Sequence, residues 1–176
     1  MQIRLDRVRD EPITWDIEVP VGAEELGREE LLAMGPVRWR GRIEAPAGGG
    51  EGEYLLTGRL TCEQTLACTR CLTPRPQTVD SEVQLYVVVR RTEPLPGDVE
   101  LAEEDLGVLE IDSEVLDTAP VIRDHLQLEI PMRVLCRPDC AGLCPRCGAD
   151  LNAGACDCPP REMDSRWRAL AELRGN

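Results

Sequence analysis

The chain has 176 residues, with 33 acidic and 20 basic side chains and a net charge of −13. Every basic residue except the single His is Arg, and Phe is absent, so a core has to be built from Leu, Val, Ile and Ala. A hydrophobic content of 42% argues against wholesale disorder. No apolar run reaches the roughly 18 residues a membrane-spanning helix needs, and MQIRLDRVRDEPITW lacks the apolar stretch of a signal peptide. A cytoplasmic protein is the expectation.

Residues 2–8 and 13–19 alternate apolar and polar side chains, the pattern of half-buried strands. Residues 23–34, AEELGREELLAM, read as a short amphipathic helix. Residues 37–45 alternate again, with Val37, Trp39, Gly41 and Ile43 on one face and Arg38, Arg40 and Arg42 on the other. After a Gly-rich turn, residues 54–68 place Tyr54, Leu56, Leu60, Cys62 and Leu66 on one face. Residues 77–90 do the same with Val79, Val83, Leu85, Val87 and Val89. Three consecutive strands of this kind form an antiparallel meander or part of a barrel.

Ten acids and no base fall in residues 92–117, and residues 92–110 read as a surface loop. Residues 113–129 read as the main helix, capped by Asp112 or Ser113, with Pro120 bending it or delaying its start and Pro131 ending it. Residues 163–174 read as a short closing helix that includes Trp167. The expected fold is α+β: an antiparallel sheet with one main helix in a core domain, 1–131, followed by a Cys-rich zinc-binding tail, 132–176.

Nine cysteines with no export signal point to metal rather than disulfides. Cys144-Pro145-Arg146-Cys147-Gly148 has the form of a knuckle that curls two sulfurs toward one ion, with Gly148 free to take positive φ. Cys156 and Cys158 complete four ligands around a structural zinc. Cys68-Thr69-Arg70-Cys71 sits at a hairpin tip and needs two more ligands. Cys136 and Cys140 are the simplest complement, giving a second zinc, although spacing alone leaves the pairs exchangeable between sites. Cys62, on the apolar face of its strand, reads as a buried free thiol.

Arg38, Arg40 and Arg42, extended by Arg59 and Arg70, form a candidate phosphate track. A solvated sheet face, paired with the acidic loop, accounts for the same residues. His125 reads as a boundary residue of the main helix. No nucleophile–base pair is legible, so no enzyme and no small-molecule substrate are expected. The alternative is a zinc- or thiol-dependent redox protein, since C-x-x-C also occurs in dithiols.

Taken in order, Cys68-Thr69-Arg70-Cys71-Leu72, the acidic loop, IDSEVLDTAPVIRDHLQLEIP, VLCRPDCAGLCPRCGADLNAGACDC and DSRWRALAEL resemble the YceD-like family. These are the large ribosomal RNA subunit accumulation proteins of bacteria and plastids. The resemblance spans roughly residues 15–174. It implies a cytoplasmic factor that supports 23S ribosomal RNA synthesis, processing or stability, in contact with ribosomal RNA or a basic ribosomal protein.

Overall fold

The computed structural model describes residues 1–9, 11–89, 107–159 and 166. Four strands with alternating apolar faces form the main sheet: β2 (Ile13–Val19), β4 (Val37–Glu44), β5 (Glu53–Ala67) and β6 (Pro74–Val89). They pair antiparallel in the order β2-β4-β5-β6, so the expected meander is present. The alternation selects the buried face. Val37, Trp39, Ile43, Tyr54, Leu56, Leu60, Leu66, Val79, Val83 and Val87 all turn inward.

The sheet is mixed rather than purely antiparallel. Its far edge is β7 (Val108–Ile111), which runs parallel to β6, so the expected loop at 92–110 ends in a strand. Residues 92–106 of that loop lie outside the described residues. So do the expected helix at 163–174 and Trp167.

The helix expected at 23–34 does not form. Ala23–Leu26 makes one 3-10 turn, closed by Gly27 at φ 59°, and β3 (Leu31–Met34) then pairs with the C-terminal half of β5. β5 extends well past the end of β4, and its free backbone groups there take β3 as partner. Tertiary pairing outweighs the helix preference of Glu and Leu.

The main helix also starts later than expected. Val115–Asp117 is strand β8, paired with β1 (Gln2–Arg4) in a separate two-stranded sheet. Helix α1 (Thr118–Leu128) follows, capped by Asp117, whose carboxylate accepts from the Ala119 N–H at 3.0 Å, rather than by Asp112 or Ser113. Pro120 falls in the first turn, where its missing N–H has no helical partner to lose. Helix residues Val121, Ile122 and Leu126 close the core over the sheet, while Val115 is exposed. Residues 2–8, expected as one strand, divide into β1 and a 3-10 turn at Leu5–Arg7.

Two indoles mark the β2–β4–β5 face. Trp15 and Trp39 lie with ring centroids 5.5 Å apart, over Gly41 and Gly58 respectively, where any Cβ would collide with a ring. Gln64 interrupts the apolar face: it is buried, and its side-chain amide has no hydrogen-bond partner among the described residues.

Candidate metal centres

The β5–β6 hairpin tip is Cys68-Thr69-Arg70-Cys71-Leu72-Thr73. The Cys68 N–H donates to the Thr73 carbonyl at 3.0 Å, and the Leu72 N–H donates to the Cys68 carbonyl at 2.9 Å. The same turn recurs at Cys144-Pro145-Arg146-Cys147-Gly148-Ala149. There the Cys144 N–H donates to the Ala149 carbonyl at 2.8 Å, and the Gly148 N–H donates to the Cys144 carbonyl at 2.9 Å. Each turn needs positive φ at the residue after its second cysteine. Gly148 supplies 73°, whereas Leu72 is held at 60° with its side chain exposed. The chain therefore carries two copies of one knuckle, a repeat hidden at the sequence level because only the cysteines and one arginine are shared.

Each knuckle meets a second cysteine pair. Cys68, Cys71, Cys136 and Cys140 bring their four sulfurs within 4.8 Å of one another, and Cys144, Cys147, Cys156 and Cys158 do the same. In the first group Cys68 Sγ lies 3.8 Å from Cys140 Sγ, and Cys71 Sγ lies 3.5 Å from Cys136 Sγ. A tetrahedron with metal–sulfur arms of about 2.3 Å has an edge of about 3.8 Å, whereas a disulfide would need about 2.05 Å. The donor set thus fits one four-coordinate ion per group, and an iron–sulfur cluster would hold its sulfurs farther apart. The grouping is the one given by the sequence accounting, without exchange of pairs. Cys62 stays apart, buried on β5, and its burial pushes the thiol up to about 11.

The electrostatics match thiolate ligation. Burial alone would raise Cys68, but the N–H groups of Cys71, Arg70 and Cys136 aim at its sulfur and bring it down to about 6. The N–H groups of Cys147 and Arg146 bring Cys144 down to about 6. Cys71 is lowered by the Thr73 hydroxyl, 3.1 Å from its sulfur. With four sulfurs crowded together, the remaining protons are held tightly. Cys136 is pushed up to about 12, chiefly by its hydrogen bond with Cys140, and Cys158 to about 12, chiefly by its bond with Cys147. A bound cation would displace those protons.

The two centres differ in burial and are joined. Cys68 and Cys140 are fully buried, whereas Cys147 is exposed and Cys156 and Cys158 are half-buried. The Thr69 N–H and hydroxyl both donate to the Val134 carbonyl, at 2.8 and 2.9 Å, which ties the tail to the hairpin. Gly142, at φ 79°, lets the chain pass against the Arg70 carbonyl, to which the Leu143 N–H donates at 3.1 Å. Asn152 bridges the centres: its Oδ1 accepts from the Ala141 N–H at 2.8 Å, and its Nδ2 points to Cys140 Sγ at 3.6 Å. Sequence reading missed Asn152, Thr73 and Thr69, whose roles arise only once the knuckles meet.

The arginine row is already engaged. Arg38 makes two hydrogen bonds of 2.8 Å to Asp16 on β2, and Arg40 lies 3.0 Å from the same carboxylate. Arg38 first, then Arg40, hold the Asp16 carboxyl at about 2. Arg42 pairs with Glu44, and Arg59 pairs with Asp80 and Glu82. These partners lie on the row's own or neighbouring strands, not in the acidic loop. Arg70 instead donates to the Cys140 carbonyl at 2.6 Å and braces the first centre. His125 sits on α1, its Nδ1 3.0 Å from the Val121 carbonyl and away from both centres.

The model of the family described as large ribosomal RNA subunit accumulation protein YceD matches residues 56–174. An uncharacterized protein of Mycobacterium tuberculosis is 34% identical over 134 residues, covering 76% of this chain and 60% of the relative. A chloroplastic homolog of the accumulation protein from Zea mays is 29% identical over 168 residues, covering 82% of this chain and 52% of its own length. An uncharacterized protein of Bacillus subtilis is 24% identical and is covered over 88% of its length. The chain thus spans about 60% of the mycobacterial relative and about half of the maize one. No solved structure matches it. Among the described residues no helix is long and apolar enough to cross a membrane.

Proposed function

The chain belongs to the family of the large ribosomal RNA subunit accumulation protein YceD, and from that premise we propose that it is a non-enzymatic factor supporting 23S ribosomal RNA synthesis, processing or stability. It works in the cytoplasm, through contact with ribosomal RNA or a basic ribosomal protein. The observation that carries this reading is the family match over residues 56–174, which takes in both four-cysteine groups. Each group holds one zinc ion, two per chain. Four thiolates satisfy a tetrahedral ion and leave no position for a substrate, so the zinc cross-links the chain and performs no chemistry. In this reading 1–131 is the core domain and 132–176 a tail pinned to it through the hairpin.

The test is complementation. Cells lacking the protein are expected to under-accumulate 23S ribosomal RNA, and the wild-type chain to restore it. Cys68→Ser/Cys71→Ser, which frees the tail from the hairpin, is expected to fail. Wild-type chain that leaves 23S levels unchanged rejects the reading. Elemental analysis is expected to give about two zinc ions per chain, and one or none rejects the two-site assignment. Cys62→Ser leaves the count unchanged, because its sulfur belongs to neither group.

A further inference from the structure

Away from both metal centres, a groove of about 440 Å³ runs between β7, β8 and the first turns of α1. Its apolar lining is Leu109 and Ile111 from β7, Val115 and Leu116 from β8, and Pro120 and Val121 from α1. Its exposed rim is acidic, with Glu110 from β7, Asp112 and, on the helix, Asp124, and no Arg or His lines it. Asp117, also at the rim, is already committed to capping α1 and lies 3.8 Å from the terminal ammonium of Met1. One wall has a further property. β7 is the terminal strand of its sheet, paired with β6 on one side and with no strand on the other among the described residues.

These features select an occupant. A sheet edge offers a line of backbone donors and acceptors to an extended segment. The apolar lining takes every second side chain of such a segment, and the acidic rim takes positive charge from the residues between. An RNA backbone is disfavoured, because Glu110, Asp112, Asp117 and Asp124 at the groove repel phosphate. A second copy of this chain is disfavoured too, since each copy carries a net −13.

We propose that the groove between β7 and α1 docks an extended cationic protein segment, in which Arg or Lys alternates with apolar residues, and which adds itself along β7. This rests on the functional reading above and chooses the basic protein, not the RNA, as the partner at this surface.

The probe is a synthetic decapeptide of alternating arginine and valine, titrated into the full chain while backbone amide NMR signals are followed. Perturbations are expected at residues 108–117 and 119–124. The double variant Asp112→Arg/Asp124→Arg, at two exposed positions, is expected to weaken binding at least about tenfold, as reversal of complementary charge does. A peptide of the same sequence N-methylated at every residue, which offers no backbone N–H to a strand on either edge, is expected not to bind. Perturbations confined elsewhere, or equal affinity for the double variant, overturn the proposal. So does a 23S transcript that, added without the peptide, perturbs the same amides. In cells lacking the protein, failure of the double variant to restore 23S RNA supports the groove. Full restoration by both the variant and the wild type overturns the groove and leaves the functional reading standing. No restoration by the wild type overturns both.

Discussion

Leu72 carries a conformation that its chemistry opposes. A side chain in the left-handed region costs about 1–2 kcal/mol, and nothing buries this one in return. Gly148 occupies the equivalent position in the second knuckle without that cost. Leu72→Gly is therefore expected to stabilise the chain by up to about 1 kcal/mol, after allowing for the greater backbone freedom of unfolded glycine. Gly148→Ala is expected to destabilise the second centre by about 1 kcal/mol. Denaturant midpoints on the zinc-loaded protein check both, and a loss of stability in Leu72→Gly contradicts the reading. Gln64 offers a second test at this scale. A buried amide with no partner costs about 1–3 kcal/mol, so Gln64→Leu is expected to raise the midpoint. An unchanged or lowered midpoint would show that the amide finds its hydrogen bonds in water.

The two knuckles are alike as turns but unlike as environments, and metal removal should separate them. The second centre, with Cys147 exposed and two more ligands half-buried, is expected to yield its ion first to a chelator, and the first centre later. Stopped titration with a chromogenic chelator should show two phases. Cys144→Ser removes the fast phase, and a surviving fast phase in that variant reverses the assignment. Acid follows the same chemistry. Cys68 and Cys144 have folded values near 6, below the ordinary thiol value of 9.0. Their thiolates therefore favour the folded form above the ordinary value, and that contribution is lost as pH falls through about 6. Cys136 and Cys158, raised to about 12, work the opposite way and keep their protons until a metal takes their place. Zinc is expected to stay bound at pH 7 to 8, with proton release on loading, and to leave as pH drops below about 6. Retention at pH 4 would contradict this.

Across the whole molecule, what was legible depended on the range of the interaction. β2, β4, β5 and β6 follow from alternation within each segment, and the knuckles from cysteines two residues apart. The four-sulfur groups were the simplest accounting of eight cysteines, but counting left the pairs exchangeable, and the folded geometry decides which pairs meet. The strands β3 and β8 were hidden, since Leu31–Met34 and Val115–Asp117 are extended only because distant backbone, in β5 and β1, is free to pair with them. The arginine row looked like an open cationic track because its neutralising partners depend on register. Asp16 lies opposite Arg40 and diagonal to Arg38, and Glu82 lies opposite Arg59. Exposed pairs like these contribute about 0–1 kcal/mol each, so Asp16→Asn is expected to change stability little while removing the carboxylate that Arg38 and Arg40 share. If the row meets RNA, that variant crosslinks to 23S RNA more strongly than the wild type. Unchanged crosslinking would remove the row from the partner surface.

The pairing of β1 with β8 has a consequence for the chain as it is made. Gln2 aligns with Asp117, and the Thr118 N–H and hydroxyl both reach back to the Met1 carbonyl. A first strand that emerges early has no partner until the far side of residue 115 has followed it. At about 5–20 residues per second that interval is on the order of ten seconds. The first knuckle waits in the same way for Cys136 and Cys140. During synthesis the growing chain therefore presents an unpaired strand and unmetallated thiols, and one late stretch, residues 115–140, closes both. Truncation within that stretch should leave the beginning of the chain, not merely its end, open to protease.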